Sequence, residues 1–202
     1  MKLSFDNNNS NINFYFSFQC PYSFLAWIHL CKILKDIDTV TLKPLNIGLE
    51  AIGNNKYSFR EYWGGERWLR LSKEAQSLGI SISKPLKFVS EEIPAKSIPI
   101  YGESGAEYYI SSVFKAVFSS NIDISITSAL RYFLQSEGND SELIIKASEN
   151  PEYLKKHKEI TELWTKNRIR LLPTIEIGKE RLSGYLTRKQ IENLLRSIID
   201  SV

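Results

Sequence analysis

Residues 20–23 read Cys20-Pro21-Tyr22-Ser23, and they join two segments of different character. Before them, Phe14 to Gln19 is an aromatic run rich in strand formers. After them a helix-like apolar pattern begins, with Pro21 suited to a first helical turn. A thiol at such a junction faces unpaired backbone N–H groups and the positive end of the helix dipole. Both favour the thiolate, which is the nucleophile in cysteine chemistry. The same residue is also readable as a small core hydrophobe, the usual state of a free cysteine. Three residues on, Ser23 reads either as an ordinary first-turn serine or as a hydroxyl that donates a hydrogen bond to the Cys20 thiolate. Tyr22 reads either as a flank of the binding site or as a packing residue, with packing favoured.

Composition narrows the chemistry. Cys31 is the only other cysteine of the 202 residues. On one helix the two would be separated by a rise of roughly 16 Å, against the limit of about 7 Å between Cα atoms that a disulfide tolerates. With no disulfide framework, a reducing, cytoplasmic setting is expected. The polar, Asn-rich stretch Met1 to Asn13 lacks the basic and apolar regions of a signal peptide. No apolar run is long enough to span a bilayer. A net charge of +3 is too small to argue for nucleic acid. Neither nucleic acid nor a membrane is therefore an expected partner. His29 lies nine residues beyond Cys20, too far along the same helix to be its base, which disfavours a Cys–His hydrolase. No His/Cys spacing suggests zinc, and no Gly-rich loop suggests phosphate binding.

The elements that would position Cys20 follow from pattern and punctuation. Ile12 to Phe18 reads as a strand, Tyr22 to Ile37 as a helix, and Val40 to Leu45 as a strand whose Pro44 suggests an edge or strand end. This strand–helix–strand unit implies a right-handed parallel crossover. From Ser58 onward the chain reads mostly as helices, with capping-box spacing at Ser58/Glu61 and Ser104/Glu107. Gly64-Gly65 should bend or break the first helix, and Gly79 should end the stretch from Glu66. Pro85, Pro94 and Pro99 mark an irregular connection. Tyr108 to Phe118, Ile124 to Leu134 and Ser141 to Ser148 continue as helices, with Asp123 and Asp140 as N-caps. Asn150-Pro151 opens another. Leu171 to Ile177 and Arg181 to Ser183 then form a hairpin around Gly178-Lys179. A last helix starts at the Thr187/Gln190 capping box. The fold class is α/β, a mixed sheet carrying a block of inserted helices.

That order, with Cys20-Pro21-Tyr22-Ser23 after the first strand and Leu172-Pro173-Thr174 before a later one, resembles the thioredoxin superfamily. Lys43-Pro44-Leu45 with Gly48, Gly53-Asn54 and Gly184 add to the likeness. More narrowly it resembles the branch with an inserted helical domain. That branch holds DsbA-like oxidoreductases, kappa-class glutathione transferases and 2-hydroxychromene-2-carboxylate isomerases. The resemblance implies a thioredoxin-like domain from residues 12–50 and 150–202 and an all-helical insertion at 51–149. It places Cys20 as the nucleophilic or thiolate-stabilising residue, and Ser23 where disulfide exchangers carry a second cysteine. Pro173 matches the family's cis-proline, whose preceding residue, here Leu172, pairs its backbone with a bound peptide or glutathione. A trans proline at a strand start is the other reading. Asn54 either contacts a ligand or simply forms a turn. Tyr57, Phe59, Tyr62, Trp63 and Trp68 would line one side of the cleft. Two positions depart from the isomerase and kappa pattern: Tyr185 follows Gly184 where those groups carry an acid, and no lysine aligns in the helix after the Asn54 loop.

Three functions follow as expectations. The first is thiol–disulfide exchange through Cys20 alone, on a small thiol or disulfide, with glutathione as the cosubstrate that resolves the mixed disulfide. The second is a glutathione-dependent transferase or isomerase, in which Cys20 and Ser23 stabilise the thiolate of glutathione. The third is a binding module that uses the groove near Pro173. A homodimer is allowed, as glutathione-using relatives commonly form one.

Overall fold

The computed structural model describes residues 2–3, 11–35, 37, 40–48 and 65–199. Asn54, the Ser58/Glu61 spacing and the aromatic residues between 57 and 63 lie outside them. The elements run β1 (Lys2–Leu3), β2 (Asn11–Phe16), α1 (Pro21–Leu34), β3 (Thr41–Asn46), α2 (Gly65–Ser77) and α3 (Glu92–Ser97). A 3-10 turn (Ile98–Tyr101) leads to α4 (Gly102–Phe118), α5 (Thr127–Ser136), α6 (Glu142–Glu149) and α7 (Pro151–Lys166). The chain then forms β4 (Thr174–Ile177), β5 (Glu180–Ser183) and α8 (Arg188–Ile199).

The sheet order is β1-β3-β2-β4-β5. β1, β2 and β3 are parallel, β4 runs antiparallel to β2, and β5 closes the hairpin with β4. The mixed α/β sheet read from the sequence is therefore the observed architecture. Alternation along β2 sorts its side chains between two cores. Ile12, Phe14 and Phe16 enter the large one with Trp27, Leu30, Phe114 and Ile175. Tyr15 enters a smaller one with Cys20, Leu45, Ile47, Ile169 and Leu172. Phe24 stacks on Phe114 and Phe118 at 5.3 and 5.4 Å between ring centroids, which fixes α1 against α4.

Several boundaries differ from the sequence reading for local reasons. β2 stops at Phe16, because Ser17 to Gln19 turn away into hydrogen bonds described below. β3 is internal, not an edge. Its Pro44 is tolerated because the described residues of β1 reach only Thr41 and Leu42, so no described strand asks for an N–H there. Pro94 sits in the first turn of α3, where its missing N–H costs nothing. Ser104 falls inside α4, so its spacing to Glu107 marks no helix start. Asp123 caps a turn rather than α5, accepting from the Ser125 N–H at 3.1 Å. Two expected caps are present. Glu152 N–H donates to Asn150 Oδ1 at 2.9 Å. Thr187 and Gln190 satisfy each other reciprocally, at 2.9 and 3.3 Å. Gly79, at φ +75°, follows α2 where a left-handed residue is needed.

Candidate active site

Cys20 is the N-cap of α1, with extended backbone angles (φ −95°, ψ 111°) and Pro21 as the next residue. Its sulfur makes no capping bond to the helix. Instead Sγ donates to the carbonyl oxygen of Leu172 at 3.7 Å. The Leu172–Pro173 peptide bond is cis. The two motifs, some 150 residues apart in sequence, thus meet at one sulfur–carbonyl contact.

That turn is pinned by its own hairpin. Gly184 N–H donates to Pro173 O at 2.8 Å. The Thr174 hydroxyl donates to Leu171 O at 2.7 Å and lies 2.8 Å from Ser183 Oγ. Thr174 is wholly buried, so it serves the turn's shape and is not open to a ligand here.

Burial overturns one expectation. Cys20 is 0% exposed and packs in the smaller apolar cluster. The reading of an open thiol facing the helix N–H groups is replaced by a closed one. Pro21 offers no N–H, and the apolar side chains of Tyr15, Leu45, Ile47, Ile169 and Leu172 draw the sulfur under the sheet end. Any reaction at this sulfur requires a movement that uncovers it. Ser23 is also 0% exposed, and its Oγ has no hydrogen-bond partner in the structure. A buried hydroxyl without a partner is costly, by about 1–3 kcal/mol.

Around the rim, Tyr22 meets Tyr185 edge-on at 5.8 Å between ring centroids. Burial raises the Tyr22 phenol, and nearby Arg67 and Arg70 act the other way. Tyr185 occupies the position where related groups carry an acid, yet a carboxylate is present. The Tyr185 hydroxyl donates to Glu74 Oε2 from α2, and the other oxygen of Glu74 lies 3.1 Å from His29 Nε2. Burial and then the Glu74 bond push the Tyr185 phenol up to about 12. His29 is thereby engaged with Glu74. Trp68 packs against the cluster of Leu25, Leu71 and Ala75. No group of His, Cys, Asp and Glu suited to a metal occurs among the described residues.

Sequence reasoning missed Glu74 and a second acid, Glu91. Glu91 is buried beneath the loop that precedes Cys20, whereas its neighbour Glu92 is exposed and paired with Lys96. Nothing in the run Val89-Ser90-Glu91-Glu92 distinguishes the two.

Cys31 is a different thiol. Burial, then the neighbouring Glu107 carboxylate, raises it well above the ordinary value.

The chain belongs to the DsbA-like thioredoxin domain family, whose sequence profile matches residues 11–196. No curated protein matches it in sequence. Among solved structures, a 2-hydroxychromene-2-carboxylate isomerase is 23% identical, with a TM-score of 0.76, over 93% of this chain and 94% of its own. A probable DsbA oxidoreductase from Streptomyces coelicolor is 13% identical, with a TM-score of 0.75, over 93% and 88% of the two chains. A cytosolic disulfide reductase from Pseudomonas aeruginosa, solved with GSH, is 12% identical, with a TM-score of 0.60, over 92% and 99%. These neighbours are named as an isomerase and as oxidoreductases, and they share this fold. No described helix is long and apolar enough to cross a membrane.

Proposed function

We propose that this protein is an enzyme of thiol–disulfide exchange that works through one cysteine, Cys20, with an external thiol such as glutathione completing the cycle. The observation that carries this reading is the 3.7 Å contact between Cys20 Sγ and Leu172 O. In the closed form the thiol occupies the edge of the turn; once uncovered, its sulfur faces a substrate laid along Leu172. The Cys20 thiolate attacks one sulfur of a mixed disulfide, forming a new S–S bond and releasing the other half as a thiolate. A glutathione thiolate then attacks the sulfur bound to Cys20. That step frees the Cys20 thiolate, and the half that Cys20 had held leaves as a disulfide with glutathione, while the half released first stays a free thiol. Ser23 cannot take this second role, because a hydroxyl does not displace sulfur here. Residues that would meet a small anionic thiol at the rim are Tyr22, Arg67 and Arg70, with Glu74 beside Tyr185 offering a site for an ammonium group.

The test is turnover of a glutathionylated peptide with glutathione in excess. Activity that Cys20→Ser abolishes supports the reading, and full activity in that variant rejects it.

One observation favours a second reading, that of a glutathione-dependent isomerase. The Ser23 hydroxyl is buried without a partner on the first turn of α1, and a bound thiolate would satisfy it. Glutathione binding without any adduct on Cys20, read by calorimetry and intact mass, would select this reading over exchange.

A further inference from the structure

Glu91 immediately precedes α3, in the helical block, and is 7% exposed. Its carboxylate accepts four hydrogen bonds. They come from Ser17 Oγ at 2.5 Å, Phe18 N–H at 2.6 Å, Asn46 Nδ2 at 3.0 Å and Gln19 Nε2 at 3.4 Å. Three of those partners are the consecutive residues that carry the chain from β2 to Cys20, and the fourth ends β3. The same segment grips Gln19 a second time. Val89 N–H donates to Gln19 Oε1 at 2.6 Å, and Gln19 Nε2 donates to Val89 O. Within the loop, Ser17 also accepts two bonds, at its hydroxyl from Gln19 N–H at 3.0 Å and at its carbonyl from Cys20 N–H at 3.1 Å.

We propose that Glu91 is a positioning residue for Cys20: its carboxylate, supplied by the helical block, clamps the loop Ser17 to Gln19 and thereby sets where the sulfur sits against the Leu172 carbonyl. The physical basis is the count of donors. All four groups are donors with little access to water, and the two oxygens of Glu91 meet all of them at once. Without it, the loop carries buried donors that regain partners only by swinging toward solvent, and Cys20 follows because it is the next residue. The hydrogen-bond partners of Glu91 are Ser17, Phe18, Gln19 and Asn46, not Cys20 or Leu172, so its action on the sulfur passes through the loop. The functional weight of this inference rests on reading Cys20 as the reacting sulfur; its structural content does not.

The experiment is native-state alkylation of Cys20 by iodoacetamide, in a Cys31→Ser background, followed by intact mass well below the unfolding midpoint. Glu91→Ala should label Cys20 about five-fold faster or more, because local opening now exposes the sulfur. Glu91→Gln keeps one acceptor and should fall between this variant and the unsubstituted protein, a partial rescue. Ser17→Ala, which removes one donor and leaves the carboxylate, should also rise and decides the matter if Glu91→Ala does not fold. Leu134→Ala, a cavity in the large core and outside the smaller cluster that holds Cys20, lowers stability and should leave the labelling rate unchanged. Unchanged labelling in folded Glu91→Gln and Ser17→Ala overturns the proposal, as does an equal rise in Leu134→Ala. Turnover of the glutathionylated peptide is measured separately. Its absence in the unsubstituted protein would overturn the exchange reading while the labelling comparison still stands.

Discussion

Two loops meet at Cys20, and they are held in opposite ways. The loop of Leu171 to Pro173 is fastened by its immediate neighbours. Its bonds come from Thr174, three residues from Leu171, and from Gly184 across the β4–β5 hairpin. The loop of Ser17 to Gln19 is fastened from 70 or more residues away in sequence by Val89 and Glu91. The first loop is tied to its own hairpin, and the second to a segment packed against it from far along the chain. One wall of the site is thus fastened within the β4–β5 hairpin, and the other by the residues that lead into α3.

The largest effect expected is on chemistry. Cys20→Ser should lower turnover of a glutathionylated peptide to background, a loss of about a thousand-fold, because the nucleophile itself is gone. Loss confined to a few-fold would move the reaction away from this junction altogether, and with it the meaning of both loops.

The comparison itself is tested by stability. Glu91→Ala strands several buried donors and should cost about 3 kcal/mol or more in urea unfolding, whereas Thr174→Val removes one neutral hydroxyl and should cost about 1 kcal/mol. Equal costs would show that the two loops are held alike.

A pH dependence sharpens the same contrast. Burial raises the Glu91 carboxyl above its ordinary value of 4.5, and the bonds from Asn46, Ser17, Phe18 and Gln19 only partly offset this. Between 4.5 and the raised value, the folded chain keeps a proton that the unfolded chain releases. Stability from this group is therefore lost as pH rises through that window. Glu91→Gln has no such proton, so the unfolding midpoint of the unsubstituted protein should fall relative to Glu91→Gln as pH increases from 4.5. A flat difference would contradict the buried-acid account. No matching slope is expected for Thr174→Val.

The smallest effect belongs to Cys31. Its raised thiol is paired with Glu107, and a serine keeps a donor there. Cys31→Ser should change stability by less than about 1 kcal/mol and leave turnover intact.

Much of the fold was legible because its signals are local. The aromatic run of β2, the helix-like apolar pattern after Pro21, the Asn150-Pro151 start and the Thr187/Gln190 box each act within a few residues. Pro44 misled because a strand's place in a sheet depends on its neighbours' lengths, which no local pattern records. The site divided along the same line. Cys20, Leu172 and Pro173 stood out by type and position, and the structure brings them together. Ser23 was visible, but its lack of a partner was not. Glu91 and Glu92 are chemically identical side by side in the chain. Only docking of α3 under the β2–α1 loop buries one and leaves the other in water with Lys96.

Taken alone, the order of residues determined that a cysteine would stand between a strand and a helix, and that a hairpin whose first strand carries Pro173 would come late in the chain. These depend on backbone preferences that act over one or two turns. The tertiary structure decided that the sulfur is closed under an apolar cluster, and that a carboxylate from the helical block holds the loop before it. Burial and long-range hydrogen bonding depend on which surfaces meet, and that is settled only when the whole chain packs.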